Sequence, residues 1–275
     1  MISFGETTDL LQVLCTLNEL YPIDMNPLTV RWLSCCPTGA NRWFVATDED
    51  RIVGIYGLLP RQATMNGIIV DAHLCNNVGV VPSHRGRGIF RDLGRYATEF
   101  AGVESNVFIG CSNPAALKGH LAAGWTHIAN LDLLNGCIPD GAHLLGESRP
   151  YSEQPITHKA QQRPNALAMV RGQTFRDWRY SRKMGYLTRA HRHRWAVWKM
   201  YKGRRQIMEM SDEMMLEYLD GEIDIWAVHG SEFHKRLLKC DFENVYTRHL
   251  VIKPNGSCAA DPNALRFDLC DNETF

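Results

Sequence analysis

Val78-Gly79-Val80-Val81-Pro82-Ser83-His84-Arg85-Gly86-Arg87-Gly88-Ile89-Phe90 is the stretch on which the fold turns. The segment from Ile68 to Val81 reads as a long strand and stops at Pro82. A glycine-bearing turn follows, and Ile89, Leu93, Ala97 and Phe100 then fall on one face of a helix. The first turn of such a helix offers unpaired N–H groups and the positive end of the macrodipole. Glycines let the backbone approach a ligand with no Cβ in the way. A phosphate or pyrophosphate fits there. The loop has neither the Gly-Lys-Ser/Thr of a P-loop nor the dinucleotide GxGxxG, so taken alone it reads equally as a tight strand-to-helix turn.

The neighbouring segments make a mixed α/β order. Leu10, Leu11, Leu14, Leu17 and Leu20 predict an amphipathic helix over 9–20, and Leu28, Val30 and Trp32 open a second short element. Trp43–Thr47 and Ile52–Leu59 read as a hairpin around Asp48-Glu49-Asp50. After the glycine loop and its helix come a strand at Asn106–Cys111, a helix at Asn113–Ala123 and a strand at Thr126–Leu134.

Two ordered signatures in this region resemble the GNAT superfamily of acetyl-CoA-dependent N-acetyltransferases. The family's loop runs Arg/Gln-x-x-Gly-x-Gly/Ala after a strand ending in an aliphatic-Val-x-Pro pattern. Arg85-Gly86-Arg87-Gly88-Ile89 follows it, after Gly79-Val80-Val81-Pro82, with Phe90 at the last position where the family has a small residue. The second signature, Asn-x-x-Ala-x-x-Leu-Tyr-x-x-x-Gly-Phe, is matched by Asn113-Pro114-Ala115-Ala116 and by Gly124-Trp125, with His120 at the tyrosine position. The resemblance covers about residues 1–135 and implies an α/β (α+β) GNAT fold with a mixed, largely antiparallel central sheet. It further implies that amides of Arg85, Gly86, Arg87, Gly88, Ile89 and Phe90 hold the coenzyme's pyrophosphate. Backbone groups at Val78 and Val80 would pair with its pantetheine arm, a bulge would splay their strand from Phe108–Cys111, and Asn113 would reach the pantetheine from the other side. Acetyl-CoA is the expected co-substrate, and no metal is expected.

Transfer to an amine needs a base to free the lone pair and an acid for the departing thiolate. The resemblance puts His120 at the acid, where an imidazolium would donate near neutral pH. Alternatively His120 merely lines its helix, with Lys118 and water moving protons. The family's glutamate position maps to Leu74, which has no proton to move. Among the polar residues nearby, Asp71, His73, Asn76 and Asn77, the candidate base is His73; a water-relayed base stays open.

Residues 136–164 carry Gly, Pro, Ser and Gln without periodicity and read as a linker. Beyond it, 165–275 resembles a degenerate second GNAT-like unit: a hairpin at Arg194–Met200 and Arg205–Met210, a helical Asp212–Leu219, a strand Ile223–Val228, a helix Glu232–Lys239, then Asp241-Phe242 and a strand Tyr246–Ile252, with a last short strand at Leu265–Leu269. Phe175-Arg176-Asp177-Trp178-Arg179-Tyr180 resembles the opening of such units. No second glycine loop occurs, so this half is not expected to bind acetyl-CoA.

Lys+Arg and Asp+Glu both total 30 in 275 residues, which excludes a uniformly basic nucleic-acid coater and an acidic solvating chain. The balance is uneven, because 163–205 holds thirteen Lys or Arg against the single acid Asp177, with Phe175, Trp178, Tyr180, Tyr186, Trp195, Trp198 and Tyr201 among them. Such a stretch can bind phosphate and stack on a base or sugar, or its charges can be balanced by acids elsewhere and its aromatics buried. On the first reading the acceptor is an anionic, phosphate-bearing small molecule such as a nucleotide aminosugar, or an amine on a base in DNA or RNA; a catalytically silent acyl-CoA-binding regulator is the remaining class. His191 and His193 lack a third ligand in the sequence. The nine cysteines show no zinc spacing and fit reduced thiols of a cytoplasmic protein. No membrane span and no secretory signal is read.

Overall fold

The computed structural model describes residues 1–21, 25–65, 67–139, 148–151, 167–180, 185–255 and 265–266. Among the described residues, fourteen strands join one sheet. The first five are β1 (Ile2–Thr7), β2 (Arg42–Asp48), β3 (Arg51–Met65), β4 (Ile68–Val80) and β5 (Val107–Ser112), adjacent in that order. Among these five, only β4 and β5 pair in parallel, as a strand–helix–strand crossover requires. The crossover is α3 (Ile89–Ala101), which packs Ile89, Leu93 and Ala97 with α4 (Pro114–Ala122) on one face of the sheet. The other face is covered by α1 (Leu10–Leu20) and α2 (Pro27–Leu33) through Val13, Leu17, Val30 and Leu33 against Trp43 and Ile55. The mixed, largely antiparallel sheet is the architecture the sequence predicts.

The order beyond β5 follows a strand exchange between the two parts of the chain. β6 (Thr126–Ile138) does not lie next to β5; β13 (Glu243–Pro254) is inserted between them, antiparallel to both. β6 in turn pairs with β12 (Gly221–Val228), register Leu131↔Val228 to Ile138↔Gly221. Each part thus lends a long strand to the other's sheet. A single buried cluster accordingly runs from Leu74 and Ile109 to Trp195, Met208 and Trp226.

The sheet continues through β11 (Arg204–Met210), β10 (Arg194–Tyr201) and β9 (Leu187–His191) to β7 (Arg149–Pro150). β8 (Leu167–Met169) pairs with β3 and with β14 (Leu265–Arg266). Residues 267–269 of the strand predicted at Leu265–Leu269 and most of the predicted linker lie outside the described residues. The predicted helix over 212–219 is a 3₁₀ turn, Glu213–Tyr218, capped by the Asp212 carboxylate on the Met214 amide. α5 (Gln173–Arg179) precedes this region, and α6 (Glu232–Lys239), capped by Ser231, packs beside β12. Asp241 follows α6 with φ +59, the backbone that Gly124 (φ +88) supplies after α4. No described helix is long and apolar enough to cross a membrane.

Candidate active site

β4 is broken by a bulge where the glycine loop approaches. Its register with β3 shifts between Ile55↔Gly79 and Gly57↔Asn76, and Asn77 takes φ +47. Asparagine tolerates that left-handed backbone better than most residues, and an extra residue in one strand is what bends it. Buried amides pin the bulge: Asn76 donates to the Asn41 side chain at 2.7 Å, and Asn77 donates to Asn76 at 3.1 Å. Gly57 completes the fit, since a Cβ there would lie 2.7 Å from the Asn76 carbonyl. Pairing between β4 and β5 runs from Ala72↔Val107 to Cys75↔Gly110 and ends at the bulge. From there the strands part, leaving a slot that leads to the glycine loop.

At the far end of the slot Gly86 and Gly88 have φ +77 and +78, and Gly88 caps α3. The side chains of the loop fold back on it, Arg85 Nε donating to the Val80 carbonyl at 3.0 Å and Arg87 to the Ser83 carbonyl at 3.3 Å. Phe90 turns inward, which accounts for the departure from the family's small residue. Its ring packs edge-on to His120 and Tyr56 in the space left by Gly119, where a Cβ would lie 2.3 Å from the ring. Asn113 caps α4, its side chain accepting from the Ala116 amide at 2.8 Å.

His120 lies under the slot, 2% exposed. Its Nδ1 is 2.8 Å from the Ser112 hydroxyl and its Nε2 3.6 Å from Cys75 Sγ, within an aromatic cage of Tyr56, Phe90 and Trp125. Burial pushes its pKa down to about 4 because a charged ring there would lose its hydration. The imidazolium expected of it near neutral pH is therefore replaced by a neutral ring.

His73 stands elsewhere. It faces Phe108 at 5.7 Å where β4 and β5 are still paired, and it lines a polar cleft with Thr38, Arg61 and Asp71. That is four residues before the bulge, roughly 13 Å along a strand. Burial and the charge of Arg42 push it down to about 4. The structure does not bring His73 and His120 to one reacting point.

Tyr21, which the sequence reading passed over, does reach the slot. Leu20, its neighbour in the chain, packs on Gly79, and the Tyr21 hydroxyl donates to the Val78 carbonyl at 3.2 Å. Burial, then the neighbouring Cys75, push its pKa up to about 12. Only the end of α1 places it there, so the signal lay in tertiary packing and not in a motif.

The basic aromatic stretch is largely spent inside the fold. Arg176 pairs with Glu209 at 2.9 Å, Arg189 and Arg205 each with Asp220 at 3.2 Å, Arg194 with Asp212 at 3.3 Å, and Arg204 with Glu222 and Asp224. Phe175, Tyr180, Tyr186, Trp195 and Trp198 are core residues, and Trp178 stacks on Trp32 at 4.1 Å. His191 stacks on Tyr218 at 4.8 Å. Most of the described charges of this stretch are thus balanced by acids and most of its aromatics are buried, while Tyr201 stays exposed.

The family described as an acetyltransferase (GNAT) domain matches residues 9–104 of the chain. Among solved structures, a GCN5-related N-acetyltransferase from Anabaena variabilis aligns with TM-score 0.66 and 11% identity over 94% of this chain and 74% of that one. A GCN5-related N-acetyltransferase from Kribbella flavida gives 0.62 and 11% over 92% and 71%. A tandem GNAT protein from the clavulanic acid biosynthesis pathway gives 0.52 and 12% over 94% and 100%. No curated protein matches the sequence. At these identities the structures speak for the fold, and the matched residues 9–104 hold the glycine loop and the bulged strand: over that part the chain carries a GNAT acetyltransferase domain.

Proposed function

We propose that the chain is an N-acetyltransferase that moves an acetyl group from acetyl-CoA directly to a primary amine. The observation that carries this reading is the bulge at Asn77, past which β4 leaves β5 and runs to two left-handed glycines at the N-terminus of α3. On this reading the amides from Arg85 to Phe90 hold the pyrophosphate, Val78 and Val80 offer the backbone edge for the pantetheine, and Asn113 shapes the opposite wall by capping α4. The residues of 1–135 and 165–275 act as catalytic and supporting parts, tied by the exchanged β6 and β13.

A neutral, enclosed His120 is a poor acid and a poor base at neutral pH, so its part is to orient the Ser112 hydroxyl. His73 lies too far from the slot to serve as base. The proton for the departing thiolate comes from Tyr21, a phenol that keeps its proton through neutral pH. Pairing of the coenzyme with Val78 would release the Tyr21 hydroxyl beside the thioester sulfur. The phosphate-bearing acceptor rested on the basic stretch, whose ion pairs now account for most of its described charges, so primary amines at large are the acceptor class.

Calorimetric titration of acetyl-CoA into the protein, with Gly88→Val alongside, tests the reading. One-site binding lost in the variant supports it. No binding at high micromolar acetyl-CoA removes it.

A further inference from the structure

The strand exchange sets a carboxylate from one part of the chain against two imidazoles from the other. Asp132 lies on β6 and is 1% exposed. His229 follows the end of β12, and His234 lies on α6. Their side-chain donor atoms lie within 4.8 Å of one another. His229 Nδ1 is 2.6 Å and His234 Nε2 3.0 Å from the same oxygen, Asp132 Oδ2, while Thr247 holds the other oxygen at 2.7 Å.

We propose that Asp132, His229 and His234 form a site for one divalent first-row metal ion, with zinc the best fit. Two imidazoles and a carboxylate make a donor set that zinc accepts with a fourth position left for water. The arrangement is oriented before any ion arrives. The Thr247 hydroxyl fixes the carboxylate so that Oδ2 faces the rings, the outer-shell contact that metal-ligating carboxylates use.

A second observation separates a ligand site from a plain hydrogen-bonded cluster. His234 Nε2 is buried and lies beside Oδ2, yet it makes no hydrogen bond in line with it or with any other group. A buried ring nitrogen without a partner is costly. A cation between the nitrogen and the oxygen satisfies both. The opposing contact is the Gly230 amide, 3.4 Å from His234 Nδ1. A metal on Nε2 puts the ring proton on Nδ1 and gives up that long contact. Tetrahedral bonds of about 2.0–2.1 Å to zinc set the donors roughly 3.3 Å apart, so both the 2.6 Å and the 3.0 Å contacts must open, the first by more. The ring of His229, 60% exposed, is free to supply that movement and leaves the fourth position open to solvent.

The place of the cluster in the fold agrees. In the N-terminal part, the strand end and helix start at Ser112–Asn113 border the coenzyme slot. The corresponding strand end and helix start of the C-terminal part, Val228–Ser231, have no glycine loop to serve and carry His229 instead. An ion there ties β6 to the turn before α6 and so clamps the exchanged strand.

The test is a titration of the chelator-stripped, reduced full chain with Co²⁺, followed by absorbance. One equivalent with visible d–d bands and no thiolate charge-transfer band in the near ultraviolet is expected, which separates this site from the chain's nine cysteines. His229→Gln, on an exposed ring, and Asp132→Asn should each weaken binding at least tenfold, and Zn²⁺ should raise the Tm of the wild type but not of His229→Gln. Absence of the one-equivalent spectrum, a spectrum showing thiolate ligands, or affinity unchanged in His229→Gln would overturn the proposal.

Discussion

The Tyr21 hydroxyl donates to the carbonyl of Val78 across 3.2 Å, at the first residue past the bulge of β4. A side chain from the end of α1 thus holds the backbone acceptor that the proposed coenzyme arm would use. Removing the hydroxyl frees that acceptor, and a hydrogen bond of this kind is worth about 0.5–1.5 kcal/mol. Tyr21→Phe should therefore bind acetyl-CoA as well as the wild type or up to about tenfold more tightly. If the phenol is the proton donor, transfer to an amine should slow by about 10²–10⁴. Calorimetry and single-turnover transfer read the two effects separately, and an unchanged transfer rate would remove Tyr21 from the chemistry.

Gly88 and Gly86 share nearly the same left-handed backbone, φ +78 and +77, but not the same surroundings. A Cβ at Gly86 meets open space, whereas one at Gly88 lies 3.2 Å from the Arg91 guanidinium. An L side chain in this conformation costs about 1–2 kcal/mol. Both Gly86→Ala and Gly88→Val should lower the Tm by a few degrees. Gly88→Val also displaces the cap of α3, so acetyl-CoA binding should fall at least tenfold there and less in Gly86→Ala. Equal losses in the two variants would place the anion site away from the helix start.

Much of this loop was legible because local chemistry decides it: a proline ends β4, glycines supply the positive φ values, and α3 shows a clear apolar face. The bulge was legible only through family resemblance, although Asn76 and Asn77 are the residues that build it. Read as polar groups near a base, they prove to be a buried amide ladder to Asn41, a partner 35 positions from Asn76. The exchange of β6 and β13 left no mark in the sequence, since any half-buried strand fits any free sheet edge. The same long-range pairing decides between the two readings of the basic stretch, whose acids sit at Glu209, Asp212, Asp220, Glu222 and Asp224, beyond its end.

Glu209 shows what that stretch does instead. Its carboxylate is fully buried and accepts from Arg176 at 2.9 Å and from the Tyr180 hydroxyl at 3.0 Å, with Arg171 at 3.6 Å. Glu209→Ala leaves buried cations without their counter-charge, which typically costs about 3–5 kcal/mol. Urea unfolding should show this loss, and Arg176→Met combined with Glu209→Leu should recover part of it, because that pair removes two buried charges together while Arg171 and the Tyr180 hydroxyl still lose the carboxylate. A loss under about 1 kcal/mol for Glu209→Ala would mean that the guanidinium groups reach solvent in the variant.

His120 and His73 make stability depend on pH in a defined direction. Burial holds both rings to pKa values of about 4 in the folded chain, against about 6.5 when unfolded. Between these values the unfolded chain binds protons that the folded chain refuses. Stability therefore rises with pH through the window and is lost as pH falls from about 6.5 towards about 4, by up to about 1.4 kcal/mol per pH unit for each ring. His120→Phe loses the Ser112 contact and is less stable at pH 7, but it also removes one titrating ring. Its urea-derived stability should fall less steeply between pH 6.5 and 4.5 than that of the wild type, so the two curves converge on acidification. Parallel curves would mean that His120 takes up its proton without unfolding, and would return an imidazolium to the floor of the slot.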